Sequence, residues 1–254
     1  MWPKQSVGPR LLRRFAPRND TFADFLDCFY EVRTLHFCWV VSVADDKRVM
    51  KQKLDIRALL FDMGNVLIFF DAKRSSRAFA EAVGVPEDKI WQTFFVSDLE
   101  RAYTKGEISS EEFYQRVIEH FPARIDFSTF AKLWNDIFTE NQEMRDLLGK
   151  LKKHYPLYLI SNTNDLHFEY VRARFRILHH FTKCFPSHTV GHRKPDQAMF
   201  EHVLEEIRLK PEQTVFIDDI AEYVESARQL GIHGIQFKSR GELESDLHRM
   251  GIQF

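Results

Sequence analysis

The chain of 254 residues is 44% hydrophobic, contains 24 Phe, and carries a formal net charge of -1. This apolar content allows a substantial core and excludes disorder of the whole chain. The balanced charge gives no electrostatic reason to expect nucleic acid or a membrane surface as a partner. The longest apolar stretch near the amino end, residues 35–43, falls well short of the ~20 residues that span a bilayer, so no transmembrane helix is expected.

The cysteines and the amino end favour a cytoplasmic location. Cys28, Cys38 and Cys184 are widely spaced and odd in number, so neither a disulfide framework nor a zinc site is expected. No secretory signal is expected, because an acidic run at residues 19–24 follows the basic start in place of an apolar segment. A reducing cytoplasm fits these features best.

Residues 1–54 differ in character from the rest of the chain. Basic residues come before any acid, and Pro3, Pro9 and Pro17 interrupt regular structure, so we predict a poorly ordered N-terminal extension. A basic arm for an anionic partner is the alternative interpretation. Met50, shortly before the first predicted strand, would be an alternative start of the protein.

From Ile56 onward, apolar runs of strand length and helical patterns follow the order expected of βαβ units around a parallel sheet. We predict a doubly wound α/β core in residues 55–70 and 142–254. In residues 71–141 the apolar residues keep helical spacing and no strand-like run appears, which predicts an all-helical cap, inserted after the first strand, that can act as a lid. The predicted strands are 56–61, 157–160, 214–218 and 232–237. The predicted helices are 75–83, 87–96, 110–121, 127–138, 144–153, 166–175, 196–207 and 222–230.

Polar residues stand at the ends of three predicted strands. Asp62 follows the first strand, Ser161 the second, and the pair Asp218 and Asp219 the third. In open α/β sheets, ligands bind at this carboxyl edge. Together with Lys194, these groups supply a carboxylate nucleophile, a hydroxyl, a cation and a carboxylate pair for a metal, which phosphoryl transfer through an aspartyl phosphate requires. The residues therefore predict a metal-dependent hydrolase.

Each group has a simpler interpretation when it is taken alone. Asp62 could form a turn, Ser161 could cap a helix, and Lys194 could be a solvated surface residue. Asp218 and Asp219 would repel each other unless a cation relieved them, which favours a Mg²⁺ site. The occurrence of all these groups in one chain, in this order, favours the catalytic interpretation.

Four segments resemble the four motifs of the haloacid dehalogenase superfamily, in the same order along the chain. They are residues 61–67, 161–164, 191–196 and 216–220. The resemblance implies that Asp62 is the nucleophile and that Lys194 offsets negative charge on Asp62 and the phosphate. It also implies that Ser161 and Asn162, with neighbouring main-chain N–H groups, bind the phosphate.

The same resemblance implies a Mg²⁺ site. Its ligands would be Asp62, the main-chain carbonyl of Gly64 and Asp219, with Asp218 either a further ligand or outside the first layer of ligands. Gly64 and Asn65 both suit the unusual backbone angles that such a turn needs.

Within the superfamily, the chain resembles a bacterial subgroup that includes an α-D-glucose-1-phosphate phosphatase. The segments that carry this resemblance are residues 62–66, 105–109, 161–167 and 193–195. It implies a helical C1-type cap and a Mg²⁺-dependent phosphatase for a small phosphorylated metabolite, with a sugar phosphate favoured.

One position departs from the superfamily pattern. Phosphatases of the superfamily usually carry a second Asp two positions after the nucleophile, where this chain has Gly64. Glycine cannot transfer a proton, and a positioned acid or base contributes ~10²–10⁴-fold. Two alternatives therefore stay open: a dehalogenase that uses the same Asp on carbon, and a catalytically weak binding or regulatory protein. The pair Asp218 and Asp219 argues against the dehalogenase, because that chemistry needs no cation.

Overall fold

The computed structural model describes residues 54–95 and 98–254. Apart from Leu54, the predicted N-terminal extension and the alternative start at Met50 lie outside these residues. Within them, no helix combines the length and the apolar character needed to cross a membrane.

A five-stranded parallel sheet lies at the centre of the described chain. The strands are β1 (Ala58–Phe61), β2 (Ile68–Phe70), β3 (Phe138–Glu140), β4 (Leu157–Ser161), β5 (Lys183–Pro186), β6 (Thr214–Asp218) and β7 (His233–Gln236). The sheet has the order β5-β4-β1-β6-β7, and β2 pairs separately with β3. In the central register Leu59 of β1 lies opposite Leu157 of β4 and Val215 of β6. The polar groups at the carboxyl ends of β1, β4 and β6 therefore meet at one edge.

The helices of the described chain fall into two groups, those that cover the two faces of this sheet and those that lie between β2 and β3. They are α1 (Ala72–Val83), α2 (Glu87–Phe95), α3 (Asp98–Thr104), α4 (Ser110–Ile118), α5 (Phe127–Asn135), α6 (Gln142–Leu151), α7 (Asp165–Arg174), α8 (Ser187–Val190), α9 (Gln197–Ile207), α10 (Ala221–Gln229) and α11 (Arg240–Arg249). Leu59 and Phe61 belong to the hydrophobic cluster that includes residues of α6, α7 and α11, whereas Leu60 belongs to the cluster with residues of α9 and α10. This alternation matches the period of two in a strand, and the predicted doubly wound fold is confirmed.

Helices α1–α5 lie between β2 and β3, and we call them the helical insertion. They enclose an aromatic core in which Phe94 packs edge-on against Phe79 and Trp134, with ring centroids 4.7 Å and 5.1 Å apart. Ser109 caps α4 by accepting a hydrogen bond from the main-chain N–H of Glu112 at 3.1 Å.

The prediction of a purely helical segment at residues 71–141 is wrong at its end, because β3 lies there and pairs antiparallel with β2. Each of these strands has three residues, and Phe69 and Phe70 are 45% and 47% exposed, so no alternating apolar pattern marks them. Strand β5 was also missed. It lies at the sheet edge and combines an exposed Lys183 with a terminal Pro186, which leaves only a two-residue apolar run.

The insertion is hydrogen-bonded to α7, α8 and their flanking residues. Ser187 donates to the main-chain carbonyl of Thr104 at 2.6 Å, and the N–H of Leu166 donates to the Tyr103 hydroxyl at 3.3 Å. Because α7 and α8 follow β4 and β5, these bonds hold the insertion beside the carboxyl edge of the sheet.

Candidate active site

A buried lysine joins two of the predicted carboxylates. The ammonium of Lys194, which is 2% exposed, donates to Asp62 and to Asp218, each at 2.6 Å. Its nitrogen also lies 5.4 Å from the Phe216 ring centroid and 5.2 Å from that of Tyr223. A desolvated cation between two carboxylates and two aromatic faces has a fixed position, so the interpretation of Lys194 as a solvated surface residue is wrong.

Three carboxylates converge around this lysine. Asp62, Asp218 and Asp219 each place one oxygen so that all three oxygens lie within 4.8 Å of one another. When all three carboxylates are ionised, their three negative charges against the one positive charge of Lys194 leave an excess of two. One divalent cation would neutralise that excess, and hard oxygen ligands are the kind that Mg²⁺ binds. The side-chain chemistry present therefore fits Mg²⁺.

The carboxylates differ in how many of their oxygens already have partners. One Asp218 oxygen accepts from Lys194 and the other accepts from the Ile220 N–H at 2.8 Å. One Asp219 oxygen accepts from the Asn65 side chain at 3.0 Å. The Gly64 carbonyl accepts from the Val66 N–H at 2.6 Å, which leaves its second lone pair for a ligand. Asp218 is thus placed to hold Lys194 more than to bind a metal.

The pKa values reflect the competition of several carboxylates for one lysine. Burial and the charge of Asp218 raise the pKa of Asp62 to about 7, although Lys194 acts in the opposite direction. Burial also raises the pKa of Asp219. For Lys194, burial favours the neutral amine, but Asp62 and Asp218 outweigh it and raise the pKa. The lysine therefore stays charged.

The segment after β4 positions the lysine loop. The Asn162 side chain accepts from the Lys194 N–H and donates to the Lys194 carbonyl, both at 2.8 Å. The Thr163 N–H donates to Ser187 at 2.9 Å. Asn164, and not Ser161, caps α7 by accepting from the His167 N–H at 3.0 Å. Ser161 is therefore not the helix cap, and it lines the cavity described next.

The turn after β1 places Asn65 in the site, a residue whose side chain the sequence did not single out. Its φ of +53° is the left-handed conformation expected for this turn, whereas Gly64 does not adopt a positive φ. This turn directs the Asn65 amide toward Asp219, where it forms the 3.0 Å hydrogen bond described above. A short polar side chain in a left-handed turn was the signal that could have identified it.

A cavity of about 250 Å³ opens beside these groups. Its polar end contains Asp62, Ser161, Lys194 and Asp219, so the structure brings the predicted catalytic, phosphate-binding and metal-binding residues to one place. Further lining residues that the sequence did not indicate are Glu100, Trp134, Phe138, His167 and Tyr223.

The profile of the haloacid dehalogenase-like hydrolase family matches residues 56–231, more than half of the chain. The chain therefore belongs to this family and is a hydrolase. The family resemblance inferred from the four motifs is confirmed.

Particular relatives share most of the described chain. It is 24% identical over 204 residues to D-ribitol-5-phosphate phosphatase of Bacteroides thetaiotaomicron, covering 76% of this chain and 97% of that protein. It is 29% identical over 198 residues to drimenol cyclase drtB of Aspergillus calidoustus, covering 76% of this chain but only 36% of that one. The crystal structure of a family enzyme from B. thetaiotaomicron, with magnesium and inorganic phosphate, superposes with a TM-score of 0.68 at 29% identity and covers 74% of this chain and 98% of its own.

Proposed function

We propose that this hydrolase is a Mg²⁺-dependent phosphatase that cleaves phosphate monoesters through an aspartyl phosphate on Asp62. The observation that carries the proposal is the buried Lys194, which joins Asp62 and Asp218 beside Asp219. Structural similarity to a family enzyme crystallised with magnesium and phosphate supports it.

Each residue has a definite part in the proposed reaction. A carboxylate oxygen of Asp62 attacks phosphorus, and the bond from phosphorus to the alcohol oxygen breaks as the new bond forms. The Ser161 hydroxyl and main-chain N–H groups near Asn162 bind the phosphate oxygens, and Lys194 balances their charge. Water then attacks phosphorus and the bond from phosphorus to the Asp62 oxygen breaks, which releases inorganic phosphate and regenerates the Asp62 carboxylate. The proton that this water gives up balances the proton that the departing alcohol oxygen takes up. A bound Mg²⁺ would supply further charge neutralisation at the phosphate.

The metal would be held by Asp62, Asp219 and the Gly64 carbonyl, and Asp218 would hold Lys194. The excess of negative charge and the open lone pair on Gly64 support this division. The cluster of three carboxylates also argues against the dehalogenase alternative, which needs no cation.

The proposed substrate is a small phosphorylated metabolite, and the proposed location is the cytoplasm. Similarity to a phosphatase named for D-ribitol 5-phosphate supports a phosphate monoester and keeps the sugar phosphate as one candidate. We propose no nucleic acid or membrane partner. We also propose that the helical insertion, α1–α5, forms a C1-type cap on the α/β core.

Replacing the nucleophile tests the mechanism. Asp62→Asn should abolish Mg²⁺-dependent phosphate release across a panel of monoesters, because the amide keeps the shape but loses the nucleophilic charge. Circular dichroism should show an intact fold. Asp88→Asn, at an exposed acid of α2, is the matched control and should leave activity unchanged. Full activity in Asp62→Asn would exclude the proposed mechanism.

A further inference from the structure

The wall of the cavity beyond the phosphate-binding end is mainly apolar. Six of its side chains are Ile68, Phe70, Trp134, Ile137, Phe138 and Ile220. They come from β2, from α5 of the helical insertion, from β3 and the residue before it, and from the segment after β6. The alcohol half of a bound monoester would therefore contact aromatic and aliphatic surface.

The polar groups of this wall already bind one another. The side-chain oxygen of Asn164, Oδ1, accepts from the main-chain N–H of His167 at 3.0 Å and from the indole N–H of Trp134 at 3.4 Å. These two bonds fix the orientation of the Asn164 side-chain amide. The Asn164 amide nitrogen then donates to Nδ1 of His167 at 3.1 Å, and Nε2 of His167 donates to the Trp134 carbonyl at 3.1 Å. Both imidazole nitrogens are thus in use, and the ring stacks on Trp134 with centroids 4.8 Å apart.

Other polar side chains around the cavity are engaged in the same way. Thr104 donates to the main-chain carbonyl of Glu100 at 3.0 Å. The Glu100 carboxylate pairs with Arg193 at 3.4 Å. The Tyr223 hydroxyl accepts from Asn162 at 3.4 Å. These bonds leave the Tyr223 hydroxyl proton and the second Glu100 oxygen for a ligand, so a polyol with several hydroxyls would have to displace existing partners or bury the other hydroxyls without hydrogen bonds.

The free energies of burying a hydroxyl and a methylene group decide between a polyol and an apolar alcohol in this cavity. A buried polar group without a partner costs ~1–3 kcal/mol, whereas each buried methylene contributes ~0.8 kcal/mol. A sugar carries several hydroxyls, and the penalty grows with each of them. An aliphatic or aromatic alcohol meets this wall without that penalty.

We propose that the substrates are phosphate monoesters of apolar alcohols, with the hydrocarbon part in this cavity. The inference rests on the proposed phosphatase function and specifies its substrate class. The phosphate end is bound by the catalytic groups, so discrimination arises at the far end of the molecule.

Two matched substrates provide the test on the full-length protein with Mg²⁺. Pentyl phosphate and D-ribitol 5-phosphate are both five-carbon primary monoesters, and they differ in hydroxyl content. We expect kcat/KM at least tenfold higher for pentyl phosphate. Along ethyl, butyl, hexyl and octyl phosphate, below micelle formation, we expect a rise of up to about fourfold per methylene until the cavity is full.

Adjacent phenylalanines supply matched variants. Phe70 lines the cavity and Phe69 does not, although their exposures are similar. Phe70→Ala should lower the octyl-to-ethyl ratio of kcat/KM severalfold, and Phe69→Ala should leave it unchanged. The octyl-to-ethyl ratio is used because a loss of activity that affects both substrates equally cancels in it.

The outcomes separate the two proposals. Higher kcat/KM for D-ribitol 5-phosphate together with a flat alkyl series would overturn the apolar substrate class and leave the phosphatase function standing. Absence of Mg²⁺-dependent release from every ester would overturn both.

Discussion

Gly64 lacks the carboxylate that would protonate the leaving group, and its surroundings show what occupies the space. A Cβ at this position would lie 3.3 Å from the Phe70 ring and 3.6 Å from an Asp62 oxygen. Of the carboxylates that line the cavity in the described part of the chain, only Glu100 belongs to the insertion. Burial raises its pKa, although Arg193 acts in the opposite direction, so Glu100 is our candidate for the alternative proton donor.

Installing the missing acid tests whether proton transfer limits turnover. In Gly64→Asp we expect the ratio of alkyl to aryl phosphate hydrolysis to rise about 10²-fold, because only the alkyl alkoxide needs a proton to depart. The Phe70 ring is half exposed and has room to yield the few tenths of an ångström required. Steady-state rates on both esters provide the measurement.

Gly64→Asn is the control, because it has the same size and cannot transfer a proton. A ratio that stays constant in a folded Gly64→Asp variant would mean that Glu100 or the substrate already supplies the proton, or that product release limits the rate.

His167 should make stability depend on pH. Burial lowers its pKa to about 4, and its Nδ1 accepts a hydrogen bond that protonation would remove. Between pH 4 and the unfolded-state pKa of ~6.5, His167 is protonated in the unfolded chain but neutral in the folded protein. The contribution of neutral His167 to the free energy of unfolding is therefore complete above pH ~6.5 and is lost as the pH falls toward 4. We expect a loss of at most about 3 kcal/mol.

Urea unfolding of the protein and of His167→Gln from pH 7 to pH 4.5 measures this effect. The stability gap between the two should shrink as the pH falls, and an NMR titration of the His167 ring should show a depressed pKa. A gap that is constant with pH would contradict the assignment.

At the scale of elements, the turn before α4 depends on a close approach of two backbones. Gly106 has a φ of +73°, and a Cβ added there would lie 2.0 Å from the His188 carbonyl oxygen. Gly84, at the end of α1, has a φ of +70° with no atom within 4 Å of such a Cβ. Substitution of Gly84 would therefore test backbone strain alone, whereas substitution of Gly106 would add steric overlap with His188.

We expect Gly84→Ala to cost about 1–2 kcal/mol from the left-handed conformation alone. Gly106→Ala should cost a further ~1–3 kcal/mol and should also lower activity, because it pushes the insertion away from α8. Denaturant midpoints and phosphate-release rates of both variants provide the comparison. Equal costs for the two substitutions would show that the approach at His188 does not constrain the insertion.

Local sequence patterns predicted the parts of the fold and site that local physics determines. Strands β1, β4 and β6 were predictable because each is a buried apolar run, and the polar groups beside their ends follow from chain direction. The cavity wall was not predictable, since Phe70, Trp134, His167 and Tyr223 meet only through long-range packing. Hydrogen bonds such as that between Asn65 and Asp219, 154 positions apart, leave no periodic signal.

For the whole molecule, the uncompensated carboxylates predict stabilisation by metal. At a Mg²⁺ concentration of 100 times Kd, binding to the folded state contributes about 2.7 kcal/mol. For a domain of this size, that should raise Tm by about 5–10 °C. Calorimetry with and without Mg²⁺ measures the shift.

Asp219→Asn should remove most of this shift, and NaCl at equal ionic strength should not reproduce it. An equal rise with NaCl would mean general screening of charge and no specific metal site.

The antiparallel pairing of β2 with β3 has a consequence for how such a chain can diversify. Phe70 lies opposite Phe138, so the chain leaves for the insertion and returns from it at points about 5 Å apart. Because its ends are adjacent, the segment between β2 and β3 can be replaced by another without disturbing the strands that carry the reacting groups. Such a replacement would change Trp134 and Ile137, which line the cavity. Substrate range can therefore change in evolution while the reaction chemistry stays the same.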